Sequence, residues 1–209
     1  MPPRQNQALD TVGAVTAAYW PVPLSRAVVA LAVGIAVTFL AEHSPRVGLL
    51  ALAGLALGGG AVVALLSRGR IADRTATRIF VAQGLISALI GVIALPLALT
   101  GAGLGTLLLL ATVWAVLTGA LELYAGYRLR TGGGRDWVTA GAGTLALALV
   151  LLLAPSDTVT VVGIIGAYAV ILGVYLVIAA LSLKWAAGDG QAAARASGAD
   201  PASNTGATR

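Results

Sequence analysis

The sequence predicts an all-α fold: a polytopic membrane bundle of six transmembrane helices arranged as three parallel two-helix hairpin repeats. Three observations carry that expectation. Of the 209 residues, 58% are hydrophobic and only 10% charged, against about 25% charged in an ordinary soluble domain, so the chain lacks the polar surface to face water on all sides. Its apolar residues fall into blocks of roughly the 20 needed to cross a bilayer as a helix, and mean hydropathy is +0.93. Finally, Pro, Gly and basic residues recur across these blocks in one repeated cadence.

The elements follow in order. Residues 1–23 form a polar N-terminal segment containing Asp10 and Tyr19-Trp20-Pro21-Val22-Pro23. It has no short basic region followed by a small-residue cleavage site, so the first span is read as uncleaved. The spans are 24–41, 47–66, 79–99, 104–124, 137–153 and 159–183. Backbone groups in hydrocarbon need internal partners, and these runs are too long and continuous for alternating barrel strands, so all six are expected to be helices. Residues 185–209 are mostly Ala, Gly, Ser, Asp and Thr without apolar periodicity. Such a segment buries too little surface to offset its ordering entropy, which predicts a disordered tail.

Orientation follows from the cations. With six crossings, Arg4, Arg26, Arg68, Arg70, Arg74, Arg78, Arg128, Arg130, Arg135, Lys184, Arg195 and Arg209 share one side, and only Arg46 falls on the other. The positive-inside rule then places both termini in the cytoplasm. The formal charge of +5 describes a basic rim facing anionic lipid and not a nucleic-acid surface, because no folded basic module remains outside the membrane. Trp20, Trp137 and Trp185 are expected as interfacial anchors.

The repeat emerges when the outer turns are aligned. Pro45, Pro96 and Pro155 each close the first helix of a hairpin, which Arg26, Arg78 and Arg135 open, and Gly59, Gly119 and Gly173 each stand eleven residues before Arg70, Arg130 and Lys184. Each unit has an even number of spans, so the three are parallel and not inverted. Gly84 and Gly91, Gly119 and Gly126, and Gly166 and Gly173 are pairs seven apart on one helix face, and Gly54 and Gly58 form a GxxxG. Small residues let helices in lipid approach closely, so all eight are read as packing positions before hinge or substrate-lining positions.

The chemistry-bearing residues are few. Glu122 stands near one end of the fourth span, where an ionisable group suggests function. A structural ion pair with Arg128, Arg26, Arg78 or Arg135 is the competing reading to a proton or ligand role. Glu42 and His43, beside Arg46 in the first outer loop, are the candidate pH-sensing pair, against a reading as solvated loop residues. Asp157 is an outer-loop or N-cap residue. The chain has no Cys and one His, no HExxH, no nucleophile–base pair and no pair of intramembrane acids. No catalytic residue, metal site or cofactor is therefore expected. The glycine-rich turns at 101–105 and 132–134 lack the strand–loop–helix setting and the Lys-Ser/Thr of a phosphate loop.

The fourth span, WAVLTGALELYAGYRLR, and the sixth, IGAYAVILGVYLVIAALSLK, with GLISALIGVIALP and GAGTLALALVLLLAP, resemble the HdeD-like acid-resistance membrane protein family. The resemblance covers about 24–184 and is weakest in the first hairpin, where Gly58-Gly59-Gly60 has no aromatic matching Trp114 and Tyr168. It implies a six-span bacterial inner-membrane protein linked to acid or membrane stress. The missing catalytic groups point to a non-enzymatic protein, the apolar spans to contact with the lipid bilayer, and the packing glycines offer a surface for a homo-oligomer or membrane protein as candidate partner. A small-solute or proton pathway through the bundle, with Glu122 as the proton-linked group, is the alternative. A polar, water-accessible cavity at Glu122 would favour it.

Overall fold

The computed structural model describes residues 19–66, 74–128, 134–155 and 157–198. Its elements are six helices: α1 Pro21–Phe39, α2 Pro45–Leu66, α3 Arg74–Leu99, α4 Leu104–Arg128, α5 Gly134–Leu153 and α6 Thr158–Gly198. Each contains a stretch long and apolar enough to cross a membrane, and the described residues contain no strand. The fold is an all-α multi-pass membrane bundle, as expected. Large apolar side chains such as Leu85, Leu89, Val92, Leu109, Leu149 and Ile171 point outward, where hydrocarbon and not water is the solvent.

Helix ends follow local chemistry. Pro21 and Pro23 lie in the first turn of α1, where a missing N–H costs nothing. The same logic corrects the expected role of Pro45, which opens α2 and does not close α1. Pro96 also departs from expectation, since it lies inside α3. The helix survives it by only one turn. Thr100 N–H bonds Pro96 O at 2.9 Å and Ala102 N–H reaches back to Leu97 O at 3.1 Å. Gly101 stands between them with φ +77°, the left-handed residue that such a helix terminus requires. Asp157 caps α6: its Oδ2 accepts from Thr160 N–H at 2.9 Å and from Thr160 Oγ1 at 2.7 Å. The hydroxyl and the amide together hold its carboxyl below the ordinary aspartate range.

Two boundaries differ in substance. Trp137, expected as an interfacial anchor, is buried, with its ring 4.2 Å from that of Phe80. The helix of the sixth span continues through Gly198, so residues 185–198 of the segment expected to be disordered extend it. Ala186, Ala187, Ala192, Ala193, Ala194 and Ala196 are strong helix formers, and prolonging an existing helix avoids the nucleation cost that composition alone cannot reveal. The expectations for 1–18 and 199–209 lie outside the described residues.

The bundle is not assembled chiefly from the two helices of each hairpin. The most extensive contacts are α2 with α3, α4 with α5, and α1 with α6, so the first and last helices meet. Glycine makes each of these approaches possible. A Cβ on Gly84 would lie 2.6 Å from Gly60 O, one on Gly141 2.8 Å from Gly119 O, and one on Gly34 3.2 Å from Gly166 O. The other glycines singled out from sequence also face neighbouring helices: Gly54 and Gly58 meet Val33 and Val29, Gly91 meets Leu57, Gly126 meets Val138, and Gly173 meets Leu31. Lipid supplies no hydrophobic force between helices, so dispersion contacts of this kind hold the bundle.

The buried residues form two clusters. The larger one runs through the bundle along Leu49, Leu52, Leu107, Trp114, Leu147, Ile165 and Leu172. A smaller one, Tyr19, Val22, Val63, Phe80, Ala125 and Trp137, closes the end from which α1 enters and α6 leaves.

Gly84→Val is expected to lower stability by about 1–3 kcal/mol through overpacking against Gly60 and Ala64, read as a drop in the unfolding midpoint of the purified protein. Gly103→Ala, where a Cβ meets nothing within 4 Å, is expected to leave the midpoint unchanged.

Candidate functional site

Between the two clusters the core turns polar around Glu122. Glu122 is fully buried, and its position on α4, four residues before Gly126 and three after Gly119, aims it inward because those glycines hold α4 against α5. Arg26 of α1 donates through Nη2 to Glu122 Oε1 in a buried salt bridge. Gln83 of α3 donates through Nε2 to the same oxygen at 2.8 Å. Thr144 of α5 brings its Oγ1 to 3.3 Å from Oε2. Three helices thus supply donors to one carboxylate on a fourth.

A second layer extends this network to α6. Thr144 Oγ1 lies 2.8 Å from Tyr168 O–H and 2.8 Å from Ala140 O. A threonine hydroxyl has a single proton to give. With the tyrosine donating to it, Thr144 divides that proton between the Ala140 carbonyl and the carboxylate, so Tyr168, Thr144 and Glu122 form a directed chain. The Tyr168 ring meets the edge of Trp114 at 6.3 Å, and Trp114 Nε1–H donates to Ser87 Oγ at 3.3 Å. On the far side, the Arg26 guanidinium stands 5.5 Å from the centre of the Trp137 ring, within the range at which an aromatic face attracts a cation. Trp137 in turn packs against Phe80, the two rings tilted at 44° within the smaller cluster.

Charge in so dry a place is costly, and it persists only where the pair is well bonded. Two groups fall short of that. Arg26 Nη1 and Gln83 Oε1 are buried with no hydrogen-bond partner in the protein. Arg26 and Gln83 both line a cavity of about 20 Å³, together with Ser87, Trp114, Thr118 and the Gly59-Gly60 stretch of α2. That volume accommodates about one water molecule, in polar surroundings suited to it.

The structure places the other sequence candidates apart from this centre. Glu42 and His43 lie in the loop after α1, with Glu42 exposed and His43 half-buried, and no described interaction brings them to Glu122. The eight glycines position the helices and add no polar group. Among the described residues no cluster of three metal-ligating side chains occurs. Of the arginines considered for Glu122, Arg26 is its partner, whereas Arg78, Arg128 and Arg135 are exposed, Arg128 bonding Tyr124 instead. The sequence singles out Tyr168 only as an aromatic of the repeat, and Gln83, Ser87 and Thr144 not at all. Their signal was there: Gln83 and Ser87 are four apart in an otherwise apolar helix and so share a face, and a sparse intramembrane polar residue is itself informative.

Compared with known proteins, the chain matches no family model, no curated protein and no solved structure.

Arg26→Met and Glu122→Leu are each expected to cost about 3–5 kcal/mol, because each strands the other's charge, whereas the double variant recovers much of that loss. Unfolding of the three purified proteins in one detergent is the measurement. A double variant no more stable than the weaker single one would count against the pairing as the dominant interaction.

Proposed function

We propose that this chain is a non-enzymatic bacterial cytoplasmic-membrane protein of the HdeD-like type, with both termini in the cytoplasm, that serves acid or membrane stress tolerance. The observation that carries this reading is the fully buried Glu122 carboxylate bonded from α1, α3 and α5. One proton added there would cancel the charge that Arg26 requires and slacken contacts to three helices together. A bundle organised in this way makes its packing depend on the charge of one carboxylate, without needing a substrate. The sequence resemblance supports the same setting, and the basic residues shared by one side of the chain support the orientation.

A proton or small-solute pathway is the second reading, with Glu122 as the proton-linked group. The water-sized cavity beside Arg26 and Gln83 and the Tyr168–Thr144–Glu122 chain favour it for protons. A space of about 20 Å³ does not favour it for a larger solute.

Deletion in the native host is expected to reduce survival at low external pH, with rescue by the wild-type gene and not by Glu122→Gln at matched membrane abundance. Rescue by both would remove Glu122 from the mechanism, and a deletion without an acid phenotype would remove the stress role. For the orientation, a reporter fused at Arg209 is expected to read as cytoplasmic and one at Thr100 as external; the reverse pattern would invert the topology.

A further inference from the structure

One neighbouring helix pair does not close. Between α5 and α6 a groove of about 400 Å³ runs along the bundle, walled by Gly143, Ala146 and Val150 on one side and Ala167, Tyr168 and Ile171 on the other. That volume is within the range of pockets that hold small ligands, about 300–1,000 Å³. The groove follows from residue size. Gly143, Ala146 and Ala167 offer little bulk, and a Cβ on Gly143 meets nothing within 4 Å, in contrast to the glycines that seat α2 on α3 and α4 on α5. Both walls belong to membrane-spanning stretches, so the groove is surrounded by hydrocarbon. Its lining is almost wholly apolar. Water would find too few partners there, and an unfilled groove would forfeit dispersion contacts along its whole length.

The end of the groove nearest the chain termini is different. Thr139 and Tyr175 line it, and Tyr175 O–H donates to Asp136 Oδ1 at 3.2 Å, tying α6 to α5 at the mouth. Arg135 is exposed and lies four residues before Thr139, on the same helix face and one turn nearer the membrane surface. An apolar slot in hydrocarbon with an exposed arginine one helical turn beyond its lining residue Thr139 matches a chain with an anionic head.

We infer that the α5–α6 groove holds one acyl chain of an anionic phospholipid drawn from the surrounding bilayer, with Arg135 facing its phosphate. This goes beyond the stress reading and does not depend on it. A second copy of the protein is the weaker occupant: two copies packed through this face about an axis normal to the membrane would bring their Arg135 side chains to the same surface as like charges, whereas a phosphate attracts the arginine. The bound chain would lie against the Tyr168 ring, whose hydroxyl is one step from Thr144 and two from Glu122. The groove and the hydrogen-bonded network around the ion pair therefore share a side chain, Tyr168.

The test is native mass spectrometry of the full-length protein equilibrated with equal amounts of phosphatidylglycerol and phosphatidylethanolamine. Wild type is expected to retain one lipid, phosphatidylglycerol over phosphatidylethanolamine. Gly143→Phe, which fills the groove from a position with free space, is expected to weaken retention about tenfold or more, and Ala146→Phe serves as a second filling variant if the first unfolds. Val92→Phe, on the outward face of α3, is expected to retain lipid as wild type does, and Arg135→Gln to keep one lipid while losing the preference for phosphatidylglycerol. Four results would overturn the proposal: no lipid retained by wild type, equal retention by the filling variants, equal loss in Val92→Phe, or a dimer that forms through this face and excludes lipid. No preference between the two lipids in wild type would overturn the assignment of Arg135.

Discussion

The bundle is organised around a charge that hydrocarbon cannot solvate. Once Glu122 is fully buried, its surroundings are constrained. A cation must reach it, further donors must saturate its oxygens, and nothing can be withdrawn without leaving an unpaired charge in a medium of low dielectric constant. Arg26, Gln83 and Thr144 meet these demands from three different helices, so a single carboxylate fixes the rotation and depth of α1, α3, α4 and α5 relative to one another. Tyr168 extends the constraint to α6. The aromatic cluster of Tyr19, Phe80 and Trp137 closes the end of the bundle beneath it and presents a ring face to the guanidinium.

Polar groups can converge only if the helices carrying them come close, and in lipid closeness depends on small residues. The glycine contacts between α2 and α3, α4 and α5, and α1 and α6 supply it. The α4–α5 contact through Gly119 and Gly141 is the clearest case: a Cβ on Gly141 would stand 2.9 Å from Glu122 Cβ, so the backbone of α5 lies directly against the residue that anchors the site. Small residues and polar residues have divided the work. The former set interhelical distance without direction, and the latter set direction once that distance is short.

That division also explains why the bundle is tight in one place and open in another. Three helix pairs are sealed by glycine contacts, whereas α5 and α6 carry small residues that face nothing and leave the lateral groove. The groove reaches Tyr168, the outermost member of the hydrogen-bonded chain. The buried ion pair and the lateral groove are joined through one phenol, Tyr168, which lines the groove and bonds Thr144. Neither feature requires a catalytic group.

How much of this was legible in advance follows from what is local and what is not. Hydropathy and length are local, so the six spans, the helical class and their approximate ends could be read from the chain, and Glu122 stood out because a carboxylate in an apolar run is conspicuous wherever it occurs. The glycine spacings marked helix faces for the same reason. The choice of Arg26 over Arg78, Arg128 and Arg135 could not be read this way, because each could stand near Glu122 in linear terms and only the rotation of each helix and the identity of its neighbours select one. The burial of Trp137, the convergence of Gln83, Thr144 and Tyr168, and the pairing of helices chiefly across hairpins depend on the same selection. The extended α6 is hidden for a different reason: the composition of a segment takes no account of the helix that precedes it, and a nucleus already formed changes the balance. The sequence by itself determined that the chain crosses a membrane six times with one carboxylate out of place. Only the tertiary structure decided what holds that carboxylate, because pairing in a bundle is set by which faces meet and not by the order of residues along any one helix.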